Sequence, residues 1–252
     1  MRLLPLLLLL GVPAFAADPA AITPESLGYR LVWGDDFNGT ALDAAKWHTD
    51  YAPKVHPPGT NNERQSYAPE NVVLRDGHLI LRTERKAREN MPYTSGMISS
   101  HDKFSREYGW FETRARLPKG KGMWPAFWML PQTKTWPPEL DIMEHKGRLP
   151  HRAFLTLHEK QPGTWRPKST GKEWDGPDFT ADFHTFALEW KTDGLRWYVD
   201  GIERHQWNGN ADFGPMYLIL NLAVGGDFDG DPDAATPFPG EMEISYVRAY
   251  AK

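Results

Sequence analysis

The chain of 252 residues contains no cysteine. That excludes disulfide bridges, a lipid-modified N-terminal cysteine and thiolate metal centres, so stability must come from core burial alone. An excess of positive charge is also missing: 29 Lys and Arg stand against 33 Asp and Glu, a formal net charge of −4. Without a basic stripe to neutralise phosphates, nucleic acid is not an expected partner. Helical periodicity is nearly absent, with Thr40 to Trp47 the one short helical candidate. Beyond the first residues no apolar run approaches the length of a membrane span, so no membrane partner is expected. The first residues themselves are patterned as a secretory signal: Arg2 is the charged start, Leu3 to Val12 the apolar stretch and Ala14-Phe15-Ala16 the small-residue site. Cleavage after Ala16 is expected, leaving residues 17–252 as a single monomeric domain in a secreted or periplasmic protein.

What the chain has is turn residues and indoles: 22 Gly, 22 Pro and 11 Trp, enough to punctuate many short strands and to build flat apolar surfaces. Alternation at period two recurs throughout. Val72 and Leu74 lead to an Asp76-Gly77 turn and then to Leu79 and Leu81. Phe111, Thr113, Ala115 and Leu117 make another face, as do Phe186, Leu188 and Trp190, and then Leu195, Trp197 and Val199. Asp200-Gly201 is a hairpin turn into Ile202 to Trp207. Met216 to Val224 is almost wholly apolar and predicts a strand buried on both faces, and Met242 to Tyr250 closes the series. Many short strands joined by Gly, Pro and Asp turns predict an all-β sandwich or jelly roll. Glu159 to Asp178 has the character of a long loop carrying Trp165 and Trp174, and Thr135-Trp-Pro-Pro138 is a second aromatic loop. Such loops serve as binding rims or as satellite packing, and the sequence leaves both open.

The densest chemical feature is Glu139-Leu140-Asp141-Ile142-Met143-Glu144. On a strand Glu139 and Asp141 share one face while Leu140 and Ile142 take the other. Glu144 joins the acids only if one extra residue is absorbed as a bulge near Ile142-Met143. Like charges at this spacing raise one another's pKa, the condition a glycosidase needs to keep one carboxyl protonated and one ionised. The plainer alternative is a solvated strand face with incidental acids.

Around these acids lie ordered blocks: Asn61-Asn-Glu-Arg-Gln-Ser-Tyr67, Tyr93-Thr-Ser-Gly-Met-Ile98, Lys119-Gly-Lys-Gly-Met-Trp-Pro-Ala-Phe-Trp-Met-Leu130, His184-Thr-Phe-Ala-Leu-Glu-Trp190, Trp197-Tyr-Val-Asp-Gly201 and Leu220-Asn-Leu-Ala-Val-Gly-Gly226. The set resembles glycoside hydrolase family 16, most closely its laminarinase-like bacterial β-1,3-glucanases, from about Leu31 to Tyr250. The resemblance implies a concanavalin A-like β-jelly-roll sandwich of two antiparallel sheets, with a substrate cleft on the concave face. It implies retaining endo-hydrolysis of a β-glucan polysaccharide, with Glu139 as nucleophile, Asp141 as assisting acid and Glu144 as general acid/base. The form with one extra residue matches laminarinases as opposed to lichenases.

Further candidates follow from spacing and from family position. The short link from Lys146 to His151 predicts that the next strand returns beside the acids, with Phe154, Thr156 and His158 on one face and His158 near the carboxylates. Trp124 and Trp128 are four apart on a strand, hence on one face, opposite Pro125 and Phe127. They are the expected sugar platform, although core packing also accounts for them. Asn62 and Glu63 are polar partners by family position, with Trp110 and Asn221 as further cleft candidates. Trp33 and Trp47 have the look of core or N-terminal strap residues. His145, His151 and His158 lack a metal-ligand spacing.

Two departures from the family pattern matter. Met97 stands where relatives commonly carry Arg, which with Arg64 and the Trp165 loop leaves the glucan undetermined. Many relatives hold a structural Ca²⁺; Asp36 and Gly77 match that site, but Ser245 replaces its final Asp, and a hydroxyl weakens a site that prefers charged oxygens. No cofactor is expected to be required. The competing functions are hydrolysis of mixed-linkage glucan or red-algal galactan, transglycosylation, and non-catalytic carbohydrate binding on the same sandwich.

Overall fold

The computed structural model describes residues 20–161, 163–164 and 166–252. The expected signal segment and Trp165 lie outside the described residues. In chain order the strands are β1 (Arg30–Asp35), β2 (Gln65–Tyr67), β3 (Val72–Arg75), β4 (His78–Thr83), β5 (Tyr93–Ser95), β6 (Met97–Ser99), β7 (Gly109–Arg116) and β8 (Met123–Pro131). They continue as β9 (Glu139–His145), β10 (Arg152–Lys160), β11 (Pro167–Asp175), β12 (His184–Lys191), β13 (Gly194–Val199), β14 (Ile202–Asn208), β15 (Met216–Val224) and β16 (Gly240–Ala251). One helical turn, α1 (Gly226–Asp229), precedes the last strand. Among the described residues no helix is long and apolar enough to cross a membrane.

Two antiparallel sheets pack face to face as a β-jelly-roll sandwich. One runs β14-β13-β12-β7-β16-β4-β3, with β1 also paired to β16, and the other runs β11-β10-β9-β8-β15-β6. The alternation read from the sequence decides which side chains enter the layer between them. Leu79, Leu81, Phe111, Ala115, Phe186, Leu188, Trp190, Leu195 and Trp197 come from the first sheet. Phe127, Met129, Leu140, Leu155, Leu157, Leu218, Leu220 and Leu222 come from the second. All nine residues of β15 are buried, as its apolar run predicts. Met216, Leu218, Leu220 and Leu222 fill the sandwich, whereas Tyr217 and Ile219 join Trp128, Met97 and Ala126 on the opposite face of the sheet. At the β3–β4 and β13–β14 hairpins Asp76, Gly77, Asp200 and Gly201 have φ of 53°, 74°, 53° and 73°. Paired positive φ values are what a tight hairpin turn requires, and Asp-Gly supplies them with little strain.

Two expectations need correction. Thr40 to Trp47 is no helix: Asp43 O accepts from both Lys46 N and Trp47 N at 3.0 Å, and Asp43 Oδ1 accepts from Ala45 N, closing a single turn. Trp47 then drops into the core and ends the segment. Glu159 to Asp178 is not a loop throughout, because β11 pairs with β10 from Arg152↔Asp175 to Lys160↔Pro167. As an exposed edge strand it carries few apolar residues, so no hydrophobic alternation betrays it.

Candidate active site

The predicted bulge is present in β9. Asp141 pairs with Trp128 and Met143 with Phe127, so Ile142 has no partner of its own on β8. On the other side, Glu139, Asp141 and Glu144 oppose His158, Thr156 and Phe154 of β10, every second residue of that strand. The stretch therefore spans only four strand steps, roughly 13 Å at about 3.3 Å per residue, and its acids share one face. Leu140, Ile142 and Met143 all enter the sandwich core. That apolar anchoring holds the acids on the outer face of the sheet.

The acids line a cleft of about 730 Å³ together with Trp124, Trp128, Thr156, His158 and Asn221. Its walls are a segment from Tyr51 to Glu63, the loop at Lys134 to Trp136, and Asp227 and Phe228 of α1. Each outer acid accepts an indole N–H at 2.9 Å, Glu139 Oε2 from Trp136 and Glu144 Oε1 from Trp124. His158 Nε2 lies 3.0 Å from Asp141 Oδ2 and 3.7 Å from Glu139 Oε1. Asp141 Oδ2 has no well-aligned hydrogen bond, so the ring nitrogen sits between the two carboxyls without pointing along the line to Asp141.

Burial pushes all three carboxyls up from their ordinary range. For Glu139 the charge of Asp141 adds to burial, while a positive His158 and the Trp136 N–H act against it. For Asp141 the charge of Glu144 adds to burial, opposed by a hydrogen bond with Glu139. Glu144 is raised by burial and eased by the Trp124 N–H and the charges of His158 and Lys146. Three desolvated acids in one cleft oppose one another's ionisation, so the group gives up its protons in coupled steps. A carboxyl that keeps a proton beside one given donors that favour its anion is the equipment for general acid and nucleophilic catalysis.

A family model described as Glycosyl hydrolases family 16 matches residues 60–248, three quarters of the chain. The chain belongs to glycosyl hydrolase family 16. The "Glucan endo-1,3-beta-glucosidase A1" of Niallia circulans is 38% identical over 90% of this chain, which covers 38% of that protein. The "Beta-glucanase" of Rhodothermus marinus is 36% identical over 96% of this chain and 91% of its own length. Among solved structures, the laminarinase catalytic domain from Thermotoga maritima superposes with a TM-score of 0.81 at 35% identity, covering 89% of this chain and 98% of that one. This family 16 chain is a glycoside hydrolase.

The remaining candidates divide. His158, Glu63, Trp124, Trp128 and Asn221 all line the family 16 cleft. Trp124 stacks on Phe228 with centroids 4.8 Å apart. Trp128 is nearly buried and forms the floor: its indole donates to Asn221 Oδ1 at 2.7 Å, and Asn221 Nδ2 donates to Tyr67 Oη at 2.9 Å. Glu63 is also nearly buried, accepting from Gln65 Nε2 at 2.6 Å and meeting His56 Nε2 at 2.7 Å. Asn62 is misplaced by one residue. Asn61 and Asn62 both have left-handed φ, 56° and 57°, and the resulting twist sends Asn62 Nδ2 to Asp227 Oδ1 while Asn61 lines the cleft. Trp110 is not a cleft residue: it lies in the other sheet, 1% exposed, against Tyr198 and Tyr250, with its N–H on Glu112. Trp136 and Phe228 also line the cleft, beyond the residues that the sequence pattern marks. Trp136, 53% exposed and three residues before Glu139, was legible only as part of an aromatic loop.

The residues that match the relatives' Ca²⁺ site, already weakened by Ser245, do not fit that ion. Asp36 Oδ1 already accepts from Arg248 Nη2 at 2.8 Å and Nε at 3.1 Å, and Ser245 falls in an irregularity of β16 between Ile244 and Tyr246. A guanidinium therefore supplies the positive charge at the one carboxylate of the set. Among the described residues His48, Asp50 and His101 bring three donors within 4.8 Å, but the two imidazoles are stacked at 4.0 Å and nearly parallel, so their in-plane lone pairs do not converge.

Proposed function

We propose that the chain is a retaining, endo-acting β-1,3-glucanase that cleaves laminarin-type glucan by double displacement. The observation that carries this reading is the bulged strand, which sets Glu139 and Glu144 on one face across Asp141 with an indole N–H on each. Retaining enzymes hold their two carboxyls about 5–5.5 Å apart, and two long Glu side chains leaning inward from positions four steps apart can reach that separation, whereas shorter Asp side chains could not.

In the first step Glu139 attacks the anomeric carbon, the glycosidic bond breaks, and Glu144 gives its proton to the departing oxygen. The Trp136 N–H favours the ionised Glu139 that this attack requires. Asp141 stands between the two and orients Glu139, and burial helps Glu144 keep its proton until the leaving group takes it. In the second step water attacks the glycosyl–Glu139 ester, Glu144 removes its proton, and Glu139 is released. Trp124 and Trp136 offer apolar surface to sugar faces. The named relatives of glucanase type and the laminarinase-like site favour β-1,3-glucan over mixed-linkage glucan or galactan.

The test is Glu139→Ser with laminarin, lichenan, agarose and carrageenan as substrates. The parent should release long oligosaccharides early from laminarin, with the β-anomer appearing first in ¹H spectra. Glu139→Ser should bind laminarin without turnover. Near-parent hydrolysis by that variant, or first release of the α-anomer, refutes the assignment.

A further inference from the structure

We infer that Ser169, on the exposed edge strand β11, is a positioning residue for the catalytic acids: its hydroxyl selects the tautomer of His158 that places an N–H between the carboxyls of Asp141 and Glu139. The inference rests on the catalytic roles proposed above. Ser169 and His158 are direct cross-strand partners in the β10–β11 ladder, so their side chains emerge on the same face of the sheet. Ser169 Oγ lies 2.8 Å from His158 Nδ1. The other ring nitrogen is the one that lies 3.0 Å from Asp141 Oδ2 and 3.7 Å from Glu139 Oε1.

In a neutral imidazole one nitrogen carries hydrogen and the other a lone pair, and the hydrogen bond made by one decides the state of the other. An ionised Glu139 beside Nε2 demands a hydrogen there, because a lone pair facing it repels. The Ser169 hydroxyl meets that demand from the far side, since it can donate to Nδ1 and leave Nε2 protonated. When His158 is cationic the same hydroxyl turns and accepts from Nδ1–H, so the ring keeps its place in both states. Phe or Leu at this register position would offer no such partner. Ser169 thus ties an edge strand that contributes little to the apolar core to the centre of the site.

Ser169→Thr and Ser169→Val separate the hydroxyl from shape, since Thr and Val are nearly isosteric and both suit a strand. The readouts are the ¹⁵N shifts of the His158 ring, assigned with His158→Gln in histidine-labelled protein, and kcat and KM on laminarin. Ser169→Thr should keep the Nε2–H tautomer and near-parent kcat. Ser169→Val should mix the tautomers and lower kcat about three- to tenfold, the range for one lost neutral hydrogen bond, with KM within about twofold. Unchanged ring shifts in Ser169→Val overturn the inference. A rise in KM with the tautomer intact also overturns it, because Ser169 would then be touching substrate. The ring shifts are read without turnover, so this result is independent of whether Glu139→Ser abolishes hydrolysis.

Discussion

Replacing Trp124 by Phe should weaken the acid without altering the wall that holds it. The Trp124 indole makes two separate contacts: its N–H donates to Glu144 Oε1 at 2.9 Å, and its rings stack on Phe228 at 4.8 Å. Phe keeps the stack and deletes the donor. A hydrogen bond to a carboxylate contributes about 1.5–3 kcal/mol and one to a neutral group about 0.5–1.5 kcal/mol. The bond therefore tightens as Glu144 loses its proton in the first step, and its removal should raise that barrier by about 1–1.5 kcal/mol, roughly tenfold in rate. The N–H also holds the Glu144 pKa down, so its loss should move the basic limb of the kcat/KM profile to higher pH. The discriminating assay compares a laminari-oligosaccharide with an aryl glycoside whose leaving group departs as a stable anion. The first needs the acid and should lose about tenfold, while the second needs it little and should lose no more than about twofold. Equal losses on both substrates, or a basic limb that stays in place, would refute the reasoning, because the indole would then be acting through substrate stacking alone.

Three other outcomes follow from the same geometry. Glu144→Gln should be more stable than the parent at neutral pH: the folded Glu144 holds its proton more tightly than the unfolded chain, so parent stability falls as pH rises above the ordinary carboxylate range of about 4.3. The difference in Tm should vanish when pH is lowered into that range, and a difference independent of pH would contradict the burial argument. Arg148→Ala should take from Asp229 its ion-pair partner at 2.7 Å and leave the Gly122 N–H on Oδ2; Asp229 is fully buried and Arg148 is 48% exposed. Breaking a buried pair costs about 3–5 kcal/mol, which we halve for the solvated guanidinium, giving a Tm lower by roughly 4–8 °C, part of which Asp229→Asn in the same chain should restore. A melting temperature unchanged in Arg148→Ala would show that the pair contributes nothing. Finally, a calcium chelator should leave the melting curve in place, because Arg248 already neutralises Asp36, and a clear rise in Tm on adding calcium would overturn that expectation.

The residues differ in how much of their placement was legible in the sequence, and the reasons are physical. Strands that bury one face announce themselves by alternation, which is why β4, β12 and β13 were evident and why the even spacing of β10 could place His158 beside the acids before any coordinates. The bulge in β9 was legible for the same reason, since three acids and three apolar residues satisfy two opposite faces only if Ile142 or Met143 is extra. β11 was not legible, because an edge strand that packs nothing has no face to declare and takes its register from β10. Trp110 misled because both faces of its sheet are apolar at that point: Phe111 enters the sandwich and Trp110 a separate outer cluster, so an indole gave no sign of which surface it served. Asn62 failed on backbone conformation. Two consecutive left-handed residues are a local choice that composition tolerates without predicting, and they exchange the roles of neighbouring side chains.

The unpaired Ile142 has one more effect. Because Ile142 and Met143 both point into the sandwich, β9 cannot slide past β8 by a single residue: any such slip would carry a carboxylate into the hydrocarbon layer and an apolar side chain out to the cleft. The extra residue works as a pawl that indexes the strand, so the position of the acids along the cleft is held by the intolerance of the core to charge. Removing Ile142 or Met143 would restore plain alternation and keep the acids together on the outer face. Inserting a residue between Glu139 and Asp141 would divide them between two faces. Chain length in this strand is therefore free to shrink at one place and at that place only, which is where a catalytic strand could be shortened without being turned inside out.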